Sequence, residues 1–102
     1  MTITISGRHM EVTTALKAYA EQKAAKLGKY YDLIHQIEVI FDAQKKDNIA
    51  VEMIVHAEHK NTFIANHLNG DAYACVDGCM HKLERQITEH KDKFRNRKHP
   101  VE

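Results

Sequence analysis

Two successive runs between Ile34 and Glu58 place apolar residues at every second position, and a pattern of period two buries a single face only if the backbone is extended. In the first run, Ile34 to Ala43, Ile37, Val39 and Phe41 fall on one side and Glu38, Ile40 and Asp42 on the other. The second, Asn48 to Glu58, sets Ile49, Val51, Met53, Val55 and Ala57 against Glu52, His56 and Glu58. Lys45-Lys46-Asp47-Asn48 joins the two as a hairpin. A shorter run from Asn61 to His67 offers Phe63 and Ala65 inward, and Thr2 to Ser6 offers Ile3 and Ile5. Four strands with one apolar face each require a second layer to cover them.

Two segments with the 3.6-residue period supply that layer. Leu16, Tyr19, Ala20, Ala24 and Leu27 form the stripe of a first helix, with Thr13 as its N-cap and Gly28 expected to end it. Asp71 is expected to cap a second, whose stripe is Val76, Met80, Leu83, Ile87 and Phe94. At about 1.5 Å per residue its roughly 25 residues span some 40 Å, so its last turns should project past the sheet. Gly78 inside it predicts a close approach to another backbone. The expected fold is α+β with the order βαβββα, a four-stranded mixed sheet with two helices packed on one face. A helical crossover makes the first two strands parallel, and the remaining pairs are antiparallel.

The 102 residues fit one compact domain, and 43% apolar with 28% charged residues is a globular composition without low-complexity stretches. Only the last residues, about Arg95 to Glu102, read as a short basic tail. The N-terminus lacks the basic start and apolar run of a secretory leader and no stretch is long and apolar enough to span a membrane, so a soluble, cytoplasmic protein is expected. Cys75 and Cys79, one helical turn apart, are expected to be reduced, with Cys79 in the core and Cys75 at the edge of the stripe. His56 and His59, the nearest pair among eight His, lack the i, i+4 helical spacing of a zincin, and no spacing completes a four-ligand set; no metal or other cofactor is expected. There is no Gly-rich phosphate loop, nucleophile elbow or self-evident acid/base pair, so neither catalytic residues nor a small-molecule substrate is expected. Of Tyr30 and Tyr31, one ring should pack in the core and the other stand half exposed, although stacking on bases is open to them.

The net charge of +1 conceals a segregation. Leu16 to Lys29 carries four Lys against Glu21, a balance of +3; Met80 to Lys98 carries seven basic residues against three acidic ones, +4; Glu38 to Glu58 carries five acidic residues against Lys45 and Lys46, −3. Helices outward on one layer and acids on the bare sheet face make a two-sided molecule, with Lys82, Gln86, Glu89, Lys93 and, somewhat aside, Arg85 expected to point away from the second stripe. Such a helical face suits the phosphates and 2′-hydroxyls of structured RNA.

Gly7-Arg-His-Met-Glu-Val-Thr13, Lys23-x-x-Lys26-Leu27 followed by Tyr31-Asp32, Asp71-Ala-Tyr-Ala-Cys-Val-Asp77, Lys82-Leu-Glu-Arg-Gln86 and His90-Lys-Asp-Lys93 together resemble the hibernation promoting factors and ribosome-associated inhibitors, over about residues 2 to 94. Ala72, Gly28 and Asn69-Gly70 depart from that pattern. The resemblance implies a double-stranded-RNA-binding-like domain, residues 1–94, that lodges in the small ribosomal subunit over the messenger and transfer RNA sites and stops translation, and in one version promotes ribosome dimers. It implies RNA contacts at Lys23, Lys26, Lys82, Arg85, Lys91 and Lys93, with the small subunit and its ribosomal RNA as partners, no membrane, and a monomer off the ribosome. The resemblance is to the short form, so the second, dimerising domain of long-form members is not expected. Two other classes fit the residues: a generic double-stranded-RNA-binding protein, and a non-catalytic interaction module that uses the acidic sheet face.

Overall fold

The computed structural model describes the backbone of residues 1–98 and the side chains of residues 1–93. The expected order is observed: β1 (Thr2–Arg8), α1 (Thr14–Tyr30), β2 (Ile34–Ala43), β3 (Ile49–Ala57), β4 (Thr62–Asn69) and α2 (Ala72–Lys98). The sheet order is β1-β2-β3-β4, with β1 parallel to β2 and the other pairs antiparallel. Both helices cover one face, where Ile37, Val39, Phe41, Val51, Met53 and Val55 are buried against Leu16, Ala20, Ala24, Leu27, Val76, Leu83 and Ile87.

Both hairpins close through two-residue turns in which the central residues have positive φ: Lys46 and Asp47 between β2 and β3, His59 and Lys60 between β3 and β4. Asn48 N donates to Lys45 O at 3.5 Å in the first and Asn61 N to Glu58 O at 3.3 Å in the second. This left-handed pair matches the twist of the flanking strands, which is why residues other than glycine tolerate it here.

The caps lie where the sequence places them. Leu16 N donates to Thr13 Oγ1 at 3.1 Å, and Tyr73 N to Asp71 Oδ1 at 2.9 Å. Gly28 does not end α1, which continues to Tyr30 with Tyr31 as its C-cap. The position is right-handed, and a Cβ there would lie 3.0 Å from Met1 Sδ, so the missing side chain makes room for the N-terminal methionine rather than for a turn. Gly78 also differs from expectation, because what approaches it is a side chain. A Cβ would lie within 2.6 Å of the His67 imidazole, which reaches α2 from the inward side of β4. Phe94, expected at the end of the stripe, has a side chain outside the described residues; the α2 backbone continues as helix through Lys98, four residues into the expected tail.

Cys75, expected at the edge of the core, is as fully buried as Cys79. Both thiols sit under α2 and donate to carbonyls of β3, Cys75 Sγ to Ile49 O at 3.2 Å and Cys79 Sγ to Val51 O at 3.4 Å. Burial raises both, Cys79 to about 12.

Native Cys79 should therefore hold roughly a thousandfold less thiolate than an ordinary cysteine near pH 8. Alkylation by iodoacetamide is expected to be undetectable on the folded chain and rapid in denaturant. Because the folded value lies above the ordinary 9.0, the stability this group contributes is complete below pH 9 and falls as pH rises towards about 12. Gly78→Ala should destabilise the fold by about 1–3 kcal/mol through the clash with His67, and His67→Ala in the same chain should recover most of that loss in denaturant titrations.

Candidate nucleic-acid interface

Two tyrosines of α1 tie it to α2. Tyr19 Oη donates to Asp77 Oδ1 at 2.6 Å, and its ring meets Tyr73 edge-on with centroids 5.0 Å apart. Further along, the Tyr30 hydroxyl is hydrogen-bonded to Thr88 Oγ1, and Lys91 Nζ donates to the Tyr30 carbonyl at 3.2 Å. The two tyrosine contacts share a sequence separation of 58, so the helices run parallel and in fixed register. Asp77 is the largest cause of the raised Tyr19 pKa, ahead of burial, which keeps the phenol protonated as the donor.

Tyr30 and Tyr31 part as expected. Tyr31 is buried, with its ring edge-on to Phe63 and His90 at centroid distances of 6.4 and 6.1 Å, and burial raises its phenol. Tyr30 is 41% exposed. α1 ends there, opposite Thr88, whereas α2 continues ten residues to Lys98. At 1.5 Å per residue, α2 runs about 15 Å past the end of α1.

The six basic residues of interest do not form a single open stripe. Lys26 of α1 and Arg85 and Lys93 of α2 are exposed. Lys23 and Lys91 are half-buried along the seam between the helices, each over a tyrosine ring: Lys23 Nζ is 5.2 Å from the Tyr19 centroid and Lys91 Nζ 4.7 Å from that of Tyr30. These cation–π contacts order the ammonium groups while leaving them at the surface. Lys82 is exposed and off the apolar stripe, as expected, but it reaches sideways to the sheet. Its Nζ donates to Asn66 O, and Gln86 Nε2 donates to Ile64 O at 2.8 Å, so both lie along the outer edge of β4. The cause is geometric: α2 lies over the edge strand, whose outward carbonyls are otherwise unpaired and attract the nearest long donors.

The tyrosine clasps carried no local signal in the sequence, since their partners are 58 residues away; Tyr19 reads as one more apolar position of its stripe. Among the described residues no group of three or more His, Cys, Asp or Glu could hold a metal ion, and His56 instead reaches Glu38 Oε2 at 2.7 Å. Among the same residues no helix is long and apolar enough to cross a membrane.

A two-layer βαβββα domain with both helices on one face of a mixed sheet belongs to the α+β class. The particular family follows from comparison with known proteins. Residues 3–95 match the profile of the Sigma 54 modulation protein / S30EA ribosomal protein family, and the chain belongs to it. It is 34% identical over 105 residues to the ribosome hibernation promoting factor of Escherichia coli (strain K12), covering 93% of this chain and 98% of that protein. The fold is similar to a ribosomal subunit interface protein from Coxiella burnetii, with a TM-score of 0.82 and 30% identity over 90% of this chain and 99% of the other. The N-terminal domain of Protein Y from Thermus thermophilus superposes with a TM-score of 0.77 at 27% identity, over 88% and 99% of the two chains. The family is non-catalytic, and the chain is not an enzyme.

Tyr19→Phe removes the donor to Asp77 while keeping the ring on Tyr73. It should lower stability by about 1 kcal/mol, read as a shift of the urea midpoint with an unchanged slope.

Proposed function

We propose that the chain is a ribosome hibernation factor that binds the small ribosomal subunit through its helical layer. On this reading residues 1–94 form the binding domain and 95–102 a short basic tail. The domain occupies the channel for messenger and transfer RNA, so that a stored ribosome is excluded from translation. A ribosomal partner makes the cytoplasm its place of action. What carries the reading is the pairing of two parallel helices that present Lys26, Arg85 and Lys93 to solvent and hold Lys23 and Lys91 over tyrosine rings, in a family whose relatives are hibernation factors.

The contacts are electrostatic. Each ammonium or guanidinium that neutralises a phosphate releases condensed counterions, so affinity falls steeply with salt. Lys26, Arg85 and Lys93 meet phosphates directly. Lys23 and Lys91 do so from pre-ordered positions, and Lys82 exchanges the Asn66 carbonyl for a phosphate oxygen. Positions 95, 97 and 98 add Arg, Arg and Lys on the projecting end of α2.

Lys26→Glu with Arg85→Glu converts two attractions into repulsions without touching the apolar stripes. Co-sedimentation with purified small subunits should weaken by about two orders of magnitude or more, with the slope of log affinity against log salt reduced by about two. Asp47→Asn with Glu58→Gln, both exposed at the hairpin turns, also changes two charged side chains and should leave binding and inhibition of cell-free translation intact. Equal affinity for subunits and for an arbitrary RNA duplex would assign the chain to generic duplex binding instead.

A further inference from the structure

No part of the described chain covers the outer face of the sheet, and that face is not uniformly polar. On β4, Ile64 and Leu68 are 47% and 59% exposed. Ile64 pairs with Ile54 of β3 and Leu68 with Ala50, while Ile40 of β2 pairs with Glu52. Glu52 thus stands between Ile40 of β2 and Asn66 of β4, with Ala50 and Ile54 on either side along β3; it is half-buried and has no hydrogen-bond or ion-pair partner among the described residues. The other two acids of the face are held: Glu38 Oε2 lies 2.7 Å from His56 Nε2, and Asp42 Oδ1 3.0 Å from His9 Nδ1.

We propose that this face docks a basic polypeptide segment, with a Lys or Arg paired to Glu52 and its aliphatic side chains on Ile54, Ile64 and Leu68. The charge of the face selects that occupant. Glu38, Asp42 and Glu52 repel phosphate, and Arg8 is the one Lys or Arg among the outward positions of the four strands. A second copy meeting this face symmetrically would set acid against acid. The segment lies on the face and does not extend the sheet at β4, because α2 lies along that edge and Gln86 already occupies the edge carbonyl of Ile64. The inference rests on the ribosome-binding reading for its setting: a ribonucleoprotein that lays RNA on the helices can offer a basic protein segment to the opposite side.

Isotope-labelled full chain titrated with a peptide of alternating Lys and Val, about nine residues long, tests the face with no ribosome present. Amide shifts are expected at Glu52, Ile54, Ile64 and Leu68 and not in α1 or α2, and Glu52→Lys should weaken them by about tenfold or more. The proposal is overturned by no shifts at millimolar peptide, by shifts confined to the helices, or by an unchanged response in Glu52→Lys. It is also overturned if the same resonances move with the chain's own concentration, which would make the occupant a second copy. In a separate measurement, Glu52→Lys with Ile64→Lys should weaken binding to purified small subunits by about tenfold without weakening binding to a protein-free RNA duplex. Equal binding of this variant and the wild type to subunits would overturn docking in that setting. If the unaltered chain bound no subunits while the peptide shifts appeared, the ribosome reading would fail and the docking face would stand.

Discussion

Everything in this domain hangs on the close seating of α2 against β3 and β4. Its buried stripe is narrow-shouldered: Cys75, Gly78 and Cys79 are small, which lets the helix approach until the thiols reach carbonyls of β3 and the His67 ring fills the space a Cβ would take. At that distance both flanks find partners. One flank reaches the edge of β4 through Lys82 and Gln86, and the other reaches α1 through Tyr73, Asp77, Thr88 and Lys91. Larger residues in the stripe would lift the helix and loosen both flanks together, because close-packed interiors transmit such displacements.

The strands and the two-layer arrangement were legible in the sequence because burial on one face imposes a period, and period is a local property. Ile37, Val39 and Phe41 or Val51, Met53 and Val55 announce their own side. Local reasoning failed where a residue's neighbour lies far along the chain. Gly28 reads as a helix terminator until Met1 is placed beside it, and Gly78 as a backbone contact until His67 is. The candidate site divides in the same way. Which segments hold the cations is a matter of counting, but Lys82 turning to the sheet edge, and Lys23 and Lys91 resting on tyrosines, depend on packing between distant elements.

The seam between the helices joins stability to recognition. Tyr19 and Tyr30 each tie α1 to α2 and each support an ammonium group on the ring. A lysine held in this way has already lost part of its rotamer freedom, so on the proposed RNA-binding reading less would remain to be lost on meeting a phosphate. On that reading the arrangement that keeps the helices in register would also limit the entropy lost on binding.

The parallel course of α1 and α2 has an electrostatic consequence of its own. Side by side and pointing the same way, the two helix dipoles reinforce each other, whereas an antiparallel pair would let them cancel. The two C-terminal ends are not level, since α1 stops opposite Thr88 and α2 runs on to Lys98, so the partial negative charge beside Lys91 is that of the last carbonyls of α1. Lys26, Lys29, Lys91 and Lys93 gather at that end, and one of them already donates to the Tyr30 carbonyl in the last turn of α1. Cations suited to a polyanion thus sit where the free domain already needs positive charge. With no nucleic acid bound, they still have the end of α1 to neutralise.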